Sequence, residues 1–302
     1  MEIGMVGLGR MGASMARRLV HGGHRLVAFD LDADARRAVA QDGVEAVAGL
    51  AELAGALAAP RVVWLMVPAG EPTQRTLDAL LPHLAPGDLV ADGGNSYYRD
   101  SQRRGQALAA RKVHFVDVGT SGGVWGIDEG YCLMAGGDAA AVRRLRPALE
   151  TLAPAPDRGW AHVGPSGAGH FVKMVHNGVE YGLMQAYAEG FELLRRREDL
   201  SLDPAAVAEL WRHGSVVRSW LLDLTARALQ DNPTLAGITA SVADSGEGRW
   251  AVQESVELGV PLPAITAALQ TRFRSQATSP FADRLLSAMR NQFGGHRAQE
   301  ED

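Results

Sequence analysis

Apolar residues follow two rhythms along this chain, and the change between them falls near residue 166. In the first part, short continuous apolar runs alternate with amphipathic stretches. The strand candidates are Glu2–Val6, Arg25–Phe29, Val44–Val47, Arg61–Val67, Asp88–Ala91, Val113–Val118 and Tyr131–Met134, with Arg61–Val67, Asp88–Ala91 and Val113–Val118 the continuous runs. Strands that are apolar on both sides belong to a sheet covered on both faces. Helical periodicity fills the gaps, from the first run to about Val20 and then over 50–58, 71–83, 97–111 and 138–152. Strand and helix in alternation predict βαβ units with right-handed crossovers. Pro154, Pro156, Asp157, Gly159, Pro165 and Gly167 then mark a boundary. Beyond it only the helical rhythm remains, over 167–197, 204–213, 216–230, 234–258, 261–276 and 280–292. The expected fold is therefore an α/β domain over 1–166, built on a doubly wound parallel sheet, followed by an all-α domain over 167–302. The polar residues at the C-terminus are expected to fray.

The first turn carries chemistry. Glu2–Val6 leads at once into Gly7-Leu8-Gly9-Arg10-Met11-Gly12 and a helix. Strand, GxGxxG and helix in that order form the dinucleotide fingerprint of a Rossmann-type domain. Gly7 allows the tight turn, Gly9 lets the backbone approach a pyrophosphate, and Gly12 lets helix and strand close up. The helix N-terminus supplies N–H groups and positive dipole for the phosphates. Asp30 ends the second strand about twenty residues later. A carboxylate there binds the adenosine ribose hydroxyls and repels a 2′-phosphate, so NAD is expected and NADP should bind more weakly. Asp32 adds a second negative charge and Leu31 nothing cationic, while Arg36 and Arg37, one turn on, offer NADP a partial rescue. The competing reading makes Asp30 a turn or helix cap.

In such a sheet the ligand lies across the carboxyl ends of the strands. Three loops leave that edge: Val67-Pro68-Ala69-Gly70, Gly93-Gly94-Asn95-Ser96 and Gly119-Thr120-Ser121-Gly122-Gly123. Val67 and Pro68 are expected against the cofactor, and Asn95 against nicotinamide or substrate. Ser96 also suits a helix N-cap, which would make that loop a plain turn. Ser121, Gly122 and Gly123 offer a hydroxyl and a nest of backbone N–H groups for a carboxylate.

The long helix near 167–197 carries the other chemistry. Lys173, His176, Asn177, Glu180 and Tyr181 fall at i, i+3, i+4, i+7 and i+8, on one stripe. Phe171, Val172, Met174, Val175, Val179 and Leu183 make the rest of the surface apolar, leaving little of it for water. A solvated face is the ordinary meaning of a charged stripe. One Lys and one Glu set among apolar side chains, two turns apart, instead suit an acid/base pair exchanging protons with a substrate.

Composition narrows the partners. A net charge of −5 argues against a nucleic-acid surface. The single cysteine, Cys132, cannot form an intrachain disulfide and fits a reducing compartment; on an apolar strand it is expected in the core. No apolar run reaches membrane-span length, and with the first strand at Glu2 no leader peptide is expected. A cytoplasmic location follows as the expectation. The His and carboxylate spacings suggest no metal site.

Asp92-Gly93-Gly94-Asn95-Ser96, Ser121-Gly122-Gly123 and Gly169-His170-Phe171-Val172-Lys173-Met174-Val175-His176-Asn177-Gly178 together resemble the 6-phosphogluconate dehydrogenases, the decarboxylating enzymes of gluconate metabolism in the pentose phosphate pathway. The resemblance runs nearly the whole chain, in the short form of the family. It implies oxidative decarboxylation of 6-phosphogluconate to ribulose 5-phosphate and CO2 with NAD. By that resemblance Lys173 is the base at the 3-hydroxyl and Glu180 the acid at C1. Asn95, Ser121, Gly122, Gly123, His176 and Asn177 match positions that hold the carboxylate and hydroxyls, and Tyr181 matches a phosphate contact. Gly248-Arg249-Trp250-Ala251 resembles a Gly-Lys-Trp-Thr phosphate segment, with Arg249 for Lys and Ala251 lacking the hydroxyl. Arg272 matches another phosphate-binding Arg, with Arg274 as a nearby competitor. Arg290 and His296 resemble residues that reach the substrate from a partner subunit, implying a homodimer or homotetramer whose C-terminal tail completes the neighbouring site. Apart from the resemblance, Phe293-Gly294-Gly295-His296 reads as a helix C-cap.

Two other functions compete. A β-hydroxyacid dehydrogenase acting on a smaller substrate without decarboxylation would need Lys173 but neither Glu180 nor the three arginines. A non-catalytic NAD-binding regulator would be free to lose Lys173 or Glu180, and both are present.

Overall fold

The apolar runs of the first part pair into one eight-stranded sheet in a computed structural model that describes residues 1–278 and 281–294. Its strands are β1 (Glu2–Val6), β2 (Arg25–Phe29), β3 (Glu45–Ala46), β4 (Val62–Leu65), β5 (Leu89–Asp92), β6 (His114–Ser121), β7 (Cys132–Gly137) and β8 (Trp160–Gly164). They lie in the order β3-β2-β1-β4-β5-β6-β7-β8. Every neighbouring pair is parallel except β6 and β7, so the expected parallel sheet carries one antiparallel step.

Residues of β4 show why such runs are apolar throughout. Val62 and Trp64 enter one hydrophobic core, and Val63 and Leu65 enter the other, on the opposite face. The helices that cover these faces are α1 (Arg10–His21), α2 (Ala33–Ala40), α3 (Leu50–Gly55), α4 (Glu71–Leu80), α5 (Tyr98–Ala109), the short α6 (Gly126–Glu129) and α7 (Ala139–Leu152). In α1 the buried residues Gly12, Met15, Ala16 and Leu19 repeat at three, four and seven positions and make one core-facing stripe.

Three expectations need correction. The segment expected as a Pro- and Gly-rich boundary holds a strand, β8, which pairs parallel with β7. Ala161, His162 and Val163 are exposed there, so this edge strand lacks the apolar signature by which the buried strands are recognised. Cys132 is exposed at the start of β7 rather than in the core. The helix expected over 234–258 begins only at Glu247. Leu235, Gly237 and Gly246 before it all have positive φ, which a helix excludes.

The remaining helices are α8 (Ala168–Arg196), α9 (Pro204–Trp211), α10 (Trp220–Asp231), α11 (Glu247–Leu258), α12 (Pro263–Gln276) and α13 (Phe281–Gly294). By its contacts the chain divides into compact units Met1–Asn177 and Gly178–Asp302. In the second unit, Phe191, Ala208, Leu222, Ala226 and Leu229 form one core, and Tyr181, Ala268 and Leu269 a smaller one. Asp203 caps α9 and Ser219 caps α10, each accepting a first-turn N–H. None of the described helices is long and apolar enough to cross a membrane.

Candidate active site

The glycine turn after β1 opens a cavity of about 1060 Å³ in the first unit. Gly7, Gly9, Arg10, Met11 and Gly12 line one side, Asp30 and Leu31 another, and Val67, Pro68 and Gly94 a third. Gly7 has φ +97°, a left-handed conformation that side chains resist. A Cβ on Gly12 would run into the Gly7 carbonyl oxygen, so α1 approaches the turn only with glycine there. A Cβ on Gly9 would meet nothing, so the α1 N-terminus lies open to a ligand. The size of this cavity and its row of helix N–H groups fit a dinucleotide.

Asp30 stands at the rim of the cleft. Its carboxylate accepts the Leu8 N–H at 2.5 Å and the Asp32 N–H at 2.8 Å, which fixes both oxygens at the rim. Asp30 thus joins two loops as well as facing the cleft; the cap of α2 is Asp32, which accepts the Asp34 N–H. Arg36 donates to the carbonyl oxygens of Asp30 and Leu31 at 2.6 and 3.3 Å, and Arg37 pairs with Asp34. Of the two arginines expected to rescue NADP binding, Arg36 is thus held against the backbone of the rim and Arg37 against Asp34.

Asn95 follows β5 with φ +53°, and its side chain is spoken for. Its amide donates to the Thr120 carbonyl oxygen at 3.1 Å and accepts the Thr120 N–H at 2.9 Å. This clamps the loop after β5 onto the end of β6. Ser121 and Gly122, the next residues, start the turn that leads to α6, with φ +134° at Gly122 and +54° at Gly123.

The start of α8 lies against β6 and β7 through a seam of glycines. A Cβ on Gly169 would strike backbone atoms of Asp117 and Met134, and one on Gly119 would strike Lys173 and Gly169. Asp117, buried on β6, accepts the N–H groups of Gly167 at 2.6 Å and His170 at 2.9 Å, capping the helix from outside. His170 is buried too, with Nδ1 on Ser101 Oγ at 2.7 Å. The Tyr98 and Phe171 rings meet edge to face at 5.1 Å. Burial pushes the Asp117 carboxyl above its ordinary 3.8, against the pull of His170 and the two N–H groups.

Replacing Asp117 with alanine removes both helix-end bonds and should cost about 1–2 kcal/mol in urea unfolding at pH 7. Because the folded pKa is raised, this carboxyl contributes most below 3.8 and its contribution falls as pH climbs toward the folded value. The wild type's advantage over the variant should thus be larger at mildly acidic pH than at pH 7. An advantage that grew with pH would show that hydrogen bonding outweighs burial at Asp117.

Lys173 follows one turn after His170 and is only 6% exposed. Its Nζ donates to Asn177 Oδ1, which also accepts His176 Nδ1–H at 2.9 Å. That leaves His176 Nε2 to accept the Ser121 hydroxyl at 3.3 Å. Ser121, distant in sequence from the α8 stripe, joins His176, Asn177 and Lys173 in one hydrogen-bonded chain in the first unit. The stripe on α8 faces inward, with Lys173, Asn177 and Tyr181 buried, while Val172, Val175, Val179 and Leu183 are exposed. The apolar face was expected to be covered, and within this chain it is open.

In the second unit, Tyr181 OH meets Ser245 Oγ at 3.1 Å and Asp244 Oδ1 at 3.3 Å. The Arg272 guanidinium stacks on the Tyr181 ring at 3.6 Å and donates to the Ala243 carbonyl oxygen at 2.8 Å. Arg249 pairs with Asp244 and lies 4.6 Å over the Phe273 ring. Burial works against the Asp244 carboxylate, but the Arg249 guanidinium and the Gly246 N–H outweigh it and hold its pKa below the ordinary value. Arg274 is paired with Asp283 of α13, which removes it as a competitor for Arg272. Asp244 and Ser245 were missed from the sequence because they sit in the segment expected as helix. Glu180 is half-buried on α8, and Arg290 is exposed on α13. His296 lies outside the described residues.

Comparison with known proteins agrees along the whole chain. Residues 2–164 match the NAD binding domain of 6-phosphogluconate dehydrogenase, and residues 169–282 match the C-terminal domain of 6-phosphogluconate dehydrogenase. The NAD(+)-dependent, decarboxylating 6-phosphogluconate dehydrogenase of Haloferax volcanii is 46% identical over 304 residues, covering 100% of both chains. The NADP(+)-dependent, decarboxylating enzyme of Bacillus subtilis is 36% identical, over 91% of this chain and 61% of its own longer one. Among solved structures, Plasmodium falciparum 6-phosphogluconate dehydrogenase superposes with a TM-score of 0.84 at 27% identity, covering 100% of this chain and 66% of that one. With two domain profiles in register and a full-length relative at this identity, the chain belongs to the 6-phosphogluconate dehydrogenase family.

Proposed function

We propose that this protein oxidises and decarboxylates 6-phosphogluconate to ribulose 5-phosphate and CO2, using NAD in preference to NADP. The observation that carries this reading is the hydrogen-bonded chain Ser121–His176–Asn177–Lys173, which presents one buried amine with its hydrogen-bond partners already in place. NAD, when bound, supplies the acceptor for the hydride that leaves C3 of the substrate. Lys173 Nζ takes the 3-hydroxyl proton, and the resulting ammonium then holds that proton against the new 3-keto oxygen. Charge developing on that oxygen as the C1–C2 bond breaks is stabilised there, and the enediol takes its proton at the former C2 from Glu180.

Ser121, Gly122, Gly123, His176 and Asn177 hold the substrate carboxylate and hydroxyls in this scheme, with Asn95 ordering the loop beside them. Tyr181, Arg249 and Arg272 receive the phosphate, which would take over from Asp244 as the partner of Arg249. The exposed apolar face of α8 and the exposed Phe281, Leu285, Leu286 and Met289 of α13 favour a homo-oligomer. Arg290 and His296 of a second copy would then complete the site. A reducing, cytoplasmic setting suits the single free thiol.

The test is to mix purified protein with 6-phosphogluconate and either NAD or NADP, following reduced cofactor and released CO2 together. Equal amounts of NADH and CO2, formed faster than with NADP, are the expected result. Reduced cofactor without CO2 would move the protein to a non-decarboxylating hydroxyacid oxidation. No reduction with either cofactor, from folded protein, would reject the substrate.

A further inference from the structure

We infer that Arg104 is a positioning residue that sets the nicotinamide-side loops in register with the catalytic end of the sheet. Arg104 lies on α5 and its side chain is 2% exposed, yet it does not line the cofactor cleft. Its guanidinium instead divides its donors among three chain segments. Nη2 donates to the Gly70 carbonyl oxygen at 2.9 Å, at the end of the Val67–Gly70 loop. Nε donates to Gln74 Oε1 at 3.2 Å, one turn into α4. Nη1 donates to Ser96 Oγ at 3.1 Å, in the loop after β5, and to the fully buried Asp92 carboxylate at 3.3 Å, at the end of that strand.

A buried ion pair that served stability alone would need only its carboxylate, and apolar replacements commonly do that work as well. The fan of acceptors here has a different result. The loops that Arg104 joins are those that supply Pro68 and Gly94 to the cofactor cleft. They already touch in front, where a Cβ on Gly94 would strike the Val67 carbonyl oxygen. Asp92 gathers Gly94 N–H at 3.1 Å and Ser96 Oγ at 2.8 Å from the same loop, and Asn95 carries the register on to Thr120. Ser121, the next residue, begins the chain to Lys173. A planar fork with fixed donors suits this task, and a lysine ammonium cannot reach all the acceptors at once.

The inference rests on the NAD site and not on the identity of the substrate, so the two can fail separately. Arg104→Lys keeps the buried charge and should fold, with a thermal midpoint within a few degrees of wild type. NADH affinity, read by fluorescence without substrate, should weaken roughly tenfold, with a matching rise in KM for NAD. The affinity for 6-phosphogluconate alone should stay within about twofold, a split that a loss of general stability does not produce. Unchanged NADH affinity in folded Arg104→Lys would overturn the inference. If that variant does not fold, Ser96→Ala and Gln74→Leu, each removing one acceptor, decide: NADH affinity equal to wild type in both overturns it, and weakening in either sustains it. Weakened NADH binding in a protein that ignores 6-phosphogluconate would leave Arg104 in its role and reject the substrate.

Discussion

Lys173→Met is expected to lower turnover by about 10³–10⁴-fold or more, the scale of a lost general acid/base, while NADH affinity stays within about twofold of wild type. Methionine has nearly the reach of lysine and no base. The site itself should survive the change. Gly119 and Gly169 fix the backbone of α8 against β6, and the Asp117 cap and the Tyr98–Phe171 contact lie outside the Lys173 side chain. Exchanging a buried amine for an apolar group removes a desolvation cost, so stability should hold or rise slightly. It leaves Asn177 Oδ1 with His176 Nδ1 as a remaining partner. Steady-state kinetics, a thermal melt and NADH titration on one preparation make the measurement. Near-normal turnover would remove Lys173 from the mechanism.

Asp30→Ser with Leu31→Arg is expected to move the ratio of kcat/KM for NADP over NAD upward by roughly 10²–10³-fold, about the worth of one charge-assisted hydrogen bond gained and one repulsion removed. In the wild type a 2′-phosphate would meet the Asp30 carboxylate at the rim. Leu31, 91% exposed beside it, offers the phosphate nothing. Arg36 is held by carbonyl oxygens and Arg37 by Asp34, so each would have to give up a partner to meet that phosphate. Serine at residue 30 keeps an acceptor for the Leu8 N–H and loses the charge; arginine at residue 31 places a cation where the side chain is open to solvent. An unchanged ratio in folded protein would place the discrimination elsewhere in the cleft.

Much of this was legible in the order of residues because it depends on neighbours along the chain. Parallel strands declare themselves by continuous apolar runs, and the first turn by glycines at fixed offsets. The spacing from Lys173 to Tyr181 follows from the helix itself. Where the signal was not local, the reading failed. Strand β8 is held at the sheet edge by its pairing with β7, and its exposed side chains need no apolar pattern. The residues before Glu247 contain enough helix-forming types to extend a helix on paper, but positive φ at Leu235, Gly237 and Gly246 ends it. Asp244 and Ser245 reach Tyr181 from that irregular stretch, across more than sixty residues of sequence.

The sequence by itself determined the fold class, the dinucleotide turn, the acidic residue at the rim of the cleft and the set of groups on α8. Each is written in periodicity or in short motifs, where a side chain's neighbours are its sequence neighbours. Only the tertiary structure decided which way the α8 stripe turns, that Asn95 is bound to Thr120, and that Arg36 and Arg37 are occupied. It alone assigned Asp117 to the end of α8 and Arg104 to three separate segments. A buried charge takes its partners from wherever the chain returns in space, and those hydrogen bonds leave no period in the sequence.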